Sequence, residues 1–171
     1  FSLAAAWEDF DNDGDADLYV ANDYGRNNLY RNDGVGGDGH VHFSDIAATA
    51  GVEDISSGMS VSWADYDRDG LMDLYVGNMF SAAGNRISYQ RKFDRERERA
   101  GPLGDLQRMA RGNSLFRNAG DGSGFLDRSE AAAVTMGRWS WSSVFADLNN
   151  DGWEDLVVAN GNLTQANPDD L

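Results

Sequence analysis

Residues 63–78 read WADYDRDGLMDLYVGN, and nearly the same line stands at 7–22, WEDFDNDGDADLYVAN, and again at 145–160, FADLNNDGWEDLVVAN. Each holds a nine-residue loop with oxygen side chains at positions 1, 3, 5 and 9 and glycine at position 6. The first loop offers Asp9, Asp11, Asp13 and Asp17 around Gly14; the second Asp65, Asp67, Asp69 and Asp73 around Gly70; the third Asp147, Asn149, Asp151 and Asp155 around Gly152. In a tight loop alternate side chains can turn onto one point, and a glycine allows the sharp turn that a side chain would hinder. Carboxylates brought within about 5 Å of one another repel by roughly 3 kcal/mol per pair at an effective dielectric of about 20. Such a loop needs a cation to close. Hard oxygen donors in this number suit Ca²⁺ better than Zn²⁺, which prefers histidine and cysteine, or Mg²⁺, which keeps its waters. The backbone carbonyl at position 7, from Asp15, Leu71 or Trp153, is expected to add a ligand. About three structural calcium ions are therefore predicted.

An EF-hand loop opens with the same D-x-D-x-D-G but needs a bidentate glutamate at position 12 and flanking helices. Here position 12 is Val20, Val76 or Val158. After position 9 comes a short apolar run such as Leu74-Tyr75-Val76, too short for a helix and rich in β formers. Before the loop, Met59, Val61 and Trp63 alternate with Ser60 and Ser62, so the loop joins two strands rather than two helices. One acidic turn could be a solvated hairpin tip; three copies in phase argue for ligands.

The repetition runs past the loops. Asn28-Leu29-Tyr30-Arg31-Asn32-Asp33-Gly34 is matched by Ser114-Leu115-Phe116-Arg117-Asn118-Ala119-Gly120, and Phe43-Ser44-Asp45 by Phe125-Leu126-Asp127. One unit is thus strand, acidic loop and three further strands within about 56 residues, the pattern of a propeller blade. Asp9 and Asp65 are 56 residues apart and Asp65 and Asp147 are 82, so an insertion of 26 belongs to the second unit. These loops, the L-Y-R-N segment and Ala159-Asn160-Gly161 resemble the FG-GAP or VCBS repeat family of calcium-loop β-propellers, as in integrin α chains. Within it the chain looks most like the ASPIC/UnbV, or cartilage-acidic-protein-like, group. Nearly the whole chain is covered, apart from residues 80–112 and the tail. The resemblance implies a platform for binding rather than catalysis, and a propeller that usually closes with about seven blades.

The expected fold is all-β: a partial β-propeller of about two and a half four-stranded blades, with calcium-binding loops and a short helical insertion. Its blades are 1–56, 57–137 with the insertion 80–112, and a half blade at 138–171. So open a stack exposes apolar faces and a sheet edge, and it is expected to be part of a longer protein or to be covered by a partner chain. The start at Phe1, without a leader, fits a mature or trimmed segment.

Composition bounds the function. At 171 residues with 41% hydrophobic side chains the chain can build one core. A net charge of −15 opposes binding to nucleic acid or to anionic membranes through the bulk surface. Three calcium ions, six positive charges, would bring it to −9, so the acidity reads as ligand supply. No apolar run is long enough to span a membrane, and the absence of cysteine leaves the redox compartment open.

The segment 86–111 carries eight of the fourteen basic residues and only four acidic ones. Residues 89–100, YQRKFDRERERA, have helix formers with opposite charges three or four apart. Pro102, with Gly101 and Gly104, is expected to end that helix, and a second short helix to follow over Asp105–Arg111. The segment reads either as a solvated rim or as a basic docking arm for a protein partner, including one gripped through Arg95, Arg97 and Arg99. Trp141 is expected in the blade core. His40 and His42 lack a third ligand and read as filler. Asn162-Leu163-Thr164 is a glycosylation sequon for a secretory pathway.

No G-x-S-x-G elbow, Walker loop, H-E-x-x-H or cysteine nucleophile is present. An enzyme therefore ranks below a calcium-stabilised binding or assembly module, part of a larger protein or complex. Weak calcium sites would stand empty in cytosol, so the expected address is extracellular or periplasmic. The alternative is a non-catalytic carrier domain of a secreted hydrolase or lyase.

Overall fold

The computed structural model describes residues 1–81, 83, 84, 86, 102–120 and 124–161. The expected helix over 89–100, with Arg95, Arg97 and Arg99, and the sequon at Asn162 lie outside the described residues.

In chain order the strands are β1 (Ser2–Glu8), β2 (Asp17–Arg26), β3 (Asn28–Val35), β4 (Val41–Asp45), β5 (Ile55–Ala64) and β6 (Asp73–Asn78). Then follow helix α1 (Pro102–Arg111) and strands β7 (Ser114–Asn118), β8 (Phe125–Asp127), β9 (Ser140–Ala146) and β10 (Asp155–Asn160). β1–β4 pair antiparallel in sequence order, β5–β8 do the same, and β9 pairs with β10. The acidic loops are the turns of three hairpins in one register: Glu8 faces Asp17, Ala64 faces Asp73 and Ala146 faces Asp155. Position 12 falls inside β2, β6 and β10, which is why no EF-hand helix can follow. The far end of β2 also pairs with the start of β5, Asp23 with Ser57 and Arg26 with Ile55, and joins the two four-stranded units edgewise. The result is an all-β partial propeller.

The core fills the space between the first and second units. Phe10, Tyr19, Leu29, Val52, Leu74, Phe116 and Phe125 are buried there. Trp63 sits at its centre, 6.3 Å from Tyr19 edge-on, 6.4 Å from Phe10 and 6.2 Å from Phe125. The Tyr19 hydroxyl donates to the Val52 carbonyl at 2.9 Å, which satisfies the polar end of a fully buried ring. The next unit repeats the contact, with Phe145 edge-on to Tyr75 at 6.1 Å. The aromatic before the second and third loops thus docks on the tyrosine two residues after the loop of the preceding unit.

The middle unit is covered on both faces, and this changes the meaning of its polar positions. Val61 and Trp63 turn to the core, while Ser60 and Ser62 meet Ser143 of β9, by a 2.8 Å hydroxyl pair and by a 2.9 Å bond from Ser62 to the Ser143 carbonyl. Only small side chains fit here: a Cβ on Gly77 would stand 2.2 Å from the Ser60 hydroxyl. Trp141 departs from expectation. The register of β9 on β10 shifts between Ser142 and Ser140, so Ser140 takes the inner position and Trp141 is left at the irregularity beside Gly161, 54% exposed.

The described end of the insertion, α1, begins at Pro102 and runs through Gly104, three residues earlier than expected. Proline lacks the N–H that a first-turn residue leaves unpaired anyway, so it can open this helix. Arg108 and Arg111, in the last turn, point into the fold. Arg108 Nε bonds the fully buried Asp54 at 2.5 Å, and Arg111 reaches Asp127 at 3.0 Å. Two of the eight basic residues assigned to the docking arm are therefore structural.

Candidate metal centres

Each loop is wrapped around its first aspartate. Asp9 accepts the N–H of Asp13 and of Gly14, both at 3.0 Å; Asp65 accepts those of Asp69 and Gly70, both at 2.9 Å; Asp147 accepts those of Asp151 at 3.1 Å and Gly152 at 2.8 Å. The position-5 carboxylates of Asp13, Asp69 and Asp151 accept the N–H of Asp15, Leu71 and Trp153 at 2.9, 3.0 and 2.8 Å, which folds position 7 back over the loop. Gly14, Gly70 and Gly152 have φ of +93°, +85° and +83°, the left-handed region that favours glycine. Asn12, Arg68 and Asn150 at position 4 are left-handed as well. The loops sit side by side: Asn12 Nδ2 reaches the Gly70 carbonyl at 3.4 Å, and the Arg68 guanidinium lies 5.1 Å over the Trp153 ring.

In two loops the carboxylates converge. Asp9, Asp11 and Asp17 offer oxygens within 4.8 Å of one another, and so do Asp65, Asp67 and Asp73. These are positions 1, 3 and 9; Asp13 and Asp69 stand outside the triads. Among the described residues the third loop forms no such triad, since Asn149 replaces one carboxylate and Asp155 is only half-buried. His42 pairs with Asp38 at 2.9 Å, His40 lies in the preceding turn, and neither joins an acidic triad. An open cleft of about 370 Å³ lies beside the first two loops, lined by Phe10, Asp11, Arg31, Leu71, Asn118 and Phe125.

The position-9 aspartates tie the loops to the sheet. Asp17 and Asp73 are fully buried. Asp17 accepts the Asn32 N–H at 2.8 Å and Asp73 the Asn118 N–H at 2.7 Å. The same asparagines donate their side-chain amides to the Ala16 and Met72 carbonyls, each at 3.3 Å. The asparagine of the L-Y-R-N segment thus belongs to the loop site, a role the separate reading of the two motifs missed. Their joint recurrence, loop then L-x-R-N, was the available signal.

Burial pushes the Asp17 carboxyl up to about 6 and that of Asp73 up to about 7, with the neighbouring loop carboxylates adding to it. Asp73 Oδ2 and Asp67 Oδ1 are buried with no hydrogen-bond partner. A buried carboxylate oxygen left bare is costly, and a hard cation at the triad would satisfy both. The residues present therefore fit a divalent ion bound through oxygen.

The shifts set a pH dependence. Both folded values lie above the ordinary 3.8, so in cation-free protein their contribution is full below that pH and is lost as the pH rises through about 6 and 7. In excess chelator the melting temperature, followed by circular dichroism, is expected to fall between pH 5 and pH 8. Millimolar calcium should abolish the fall, because the cation holds the carboxylates ionised. A chelated protein that gains stability over that range would contradict the buried, cation-free carboxylates described above.

The FG-GAP-like repeat family model matches residues 9–76 and 106–158, well over half of the chain, and takes in all three acidic loops. The chain belongs to the FG-GAP-like repeat family. Cartilage acidic protein 1 of Xenopus tropicalis is 39% identical over 64 residues, 37% of this chain and 9% of that protein. Cartilage acidic protein 1 of Mus musculus is 41% identical over 64 residues, with the same shares. The match spans under a tenth of these curated relatives. FG-GAP repeats build propeller-like modules of the protein-interaction type, and the fold described above is such a module in part. No helix among the described residues is long and apolar enough to cross a membrane.

Proposed function

We propose that this chain is a calcium-stabilised propeller segment that serves as an extracytoplasmic binding or assembly module within a larger protein or complex, and that it is not itself an enzyme. The carrying observation is the pair of carboxylate triads, each with a fully buried position-9 aspartate and the second with two bare buried oxygens. Calcium would be held by Asp9, Asp11 and Asp17 in one loop and by Asp65, Asp67 and Asp73 in the next. Asp13, Asp69 and the carbonyls of Asp15 and Leu71 would complete the two shells. The third ion would use Asp147, Asn149, Asp151, Asp155 and the Trp153 carbonyl, with less charge and hence lower affinity. The blades proposed are 1–56, 57–137 and the half blade 138–171.

The ion's part is structural: it offsets the repulsion of clustered carboxylates and fixes each hairpin, and the hairpins carry the aromatic contacts between units. Among the described residues the carboxylate triads lie in these loops, which supports a non-catalytic reading. A protein partner would be met by charge, through the remaining basic residues of the sequence between Arg86 and Gly101.

Calorimetric titration of chelated protein tests the metal and the address together. Calcium is expected to bind with a dissociation constant of about 10⁻⁴–10⁻³ M, the range of extracellular modules, and magnesium to give little heat. Submicromolar affinity would remove the argument for an extracytoplasmic address. No calcium heat at all would remove the metal.

A further inference from the structure

The first two loops are built from the same residue types, yet their surroundings differ at one arginine. Arg117 on β7 bonds the second loop twice, Nε to Asp67 Oδ2 and Nη2 to Asp69 Oδ2 at 2.5 Å. Its counterpart Arg31 on β3 does not enter the first loop. It turns away and places Nε and Nη2 on Asp33 Oδ1 at 2.9 and 2.7 Å. The cause is two residues further on, where the first unit has Asp33 and the second has Ala119. Asp33 also accepts the Ser44 hydroxyl, which keeps it in place to hold Arg31. With alanine there, Arg117 has no such partner and takes the loop instead. Among the described residues no cation forms an ion pair with Asp11 or Asp13, and Arg31 acts on Asp11 only at longer range.

We propose that Arg117 is a positioning residue that holds the second loop in its metal-binding shape before the cation arrives, and that Asp33 deprives the first loop of the same service. The inference rests on the calcium reading above for its second readout only. Arg117 grips the outer oxygen of Asp67 and leaves Oδ1 buried and bare; Asn118 likewise takes Oδ1 of Asp73 and leaves Oδ2 bare. These are the two oxygens a cation would need. One guanidinium set against two of the four carboxylates lowers their mutual repulsion without filling the point on which they converge. Arg117 therefore acts through Asp67 and Asp69, not on the ion. Both triads converge, but only the second loop has a guanidinium to hold that shape against the repulsion of its carboxylates.

Hydrogen exchange of the Gly14 and Gly70 amides, read by NMR on the whole chain in excess EDTA, tests this. Each amide donates to the first aspartate of its own loop. Gly70 is expected to exchange about tenfold more slowly than Gly14, the fold-change that one hydrogen bond to a charged group supplies. Arg117→Met should bring Gly70 to the rate of Gly14, Arg117→Lys should recover part of the difference, and Ala119→Asp should remove it with the arginine still present. Calcium titration in the same spectra should show affinity at the second loop reduced about tenfold by Arg117→Met, with the first unchanged. Equal exchange of the two glycines in the parent protein would overturn the proposal. So would tighter calcium binding after Arg117→Met, which would make the arginine a competitor of the ion. Ala119→Asp keeps the test open if Arg117→Met fails to fold. Should the protein bind no calcium while the exchange asymmetry holds, the metal reading falls and the positioning role stands.

Discussion

Addition of EDTA in excess is expected to lower the melting temperature by roughly 6–12 °C. A site with a dissociation constant of about 0.1 mM in about 1 mM calcium gains about 1.4 kcal/mol by mass action, so the two triads and a weaker third site together gain about 3 kcal/mol. For a domain of this size each kcal/mol moves the midpoint by about 2–4 °C. The loss should be large because the loops are not decorative tips. Phe10, from inside the first loop, stacks in the central core at 5.7 Å from Phe125, and Asp17 and Asp73 anchor the third strands through Asn32 and Asn118. Opening a loop therefore loosens the contact between units. Back-titration with calcium should restore the midpoint and magnesium should not. A melting temperature unmoved by chelation would show that the loops close without an ion.

Replacing Asp54 by alanine is expected to cost about 3–5 kcal/mol, the usual result of breaking a buried charge pair from one side. Asp54 is fully buried in the connection between β4 and β5. It receives Arg108 Nε at 2.5 Å, the Ser114 hydroxyl at 2.6 Å and Asn78 Nδ2 at 3.0 Å. One carboxylate thus ties α1, β6 and β7 to the first unit's exit. Without it, Arg108 keeps Asp127, at 3.4 Å, and the face of the Phe116 ring, and Ser114 and Asn78 lose an acceptor inside the fold. Asp54→Asn should cost less, since one oxygen remains. The exposed pair of Arg26 and Glu53 is the control: Glu53→Ala should cost under about 1 kcal/mol. Urea titrations of the three variants measure the differences. A loss below that of Glu53→Ala would mean that α1 does not rest on Asp54.

The three hairpins were legible because their signal repeats: the loop fixes the turn, the apolar run fixes the outgoing strand, and identical spacing fixes the register. The ligand candidates were legible for the same reason. Which of them converge was not, because positions 1, 3 and 9 meet through the closing of the hairpin, whereas the position-5 carboxylates turn back to the position-7 amides. Asp54 was invisible, since an aspartate in a connector reads as solvated until a helix from elsewhere covers it. Ser60 and Ser62 marked only the alternation of a strand; the third hairpin makes them an interior contact. Trp141 failed the other way, aligned with a core position but placed at a register shift. The start of α1 at Pro102 was not legible, because proline punctuates helices at both boundaries and the local sequence does not say which.

The most direct test is a crystal structure grown in calcium, with anomalous diffraction recorded above the phasing background of the ion. Three anomalous peaks are predicted, one within bonding distance of Asp9, Asp11 and Asp17, one of Asp65, Asp67 and Asp73, and a weaker one of Asp147, Asn149 and Asp155. Loops of the same shape filled only by water, with no peak at either triad, would contradict the account.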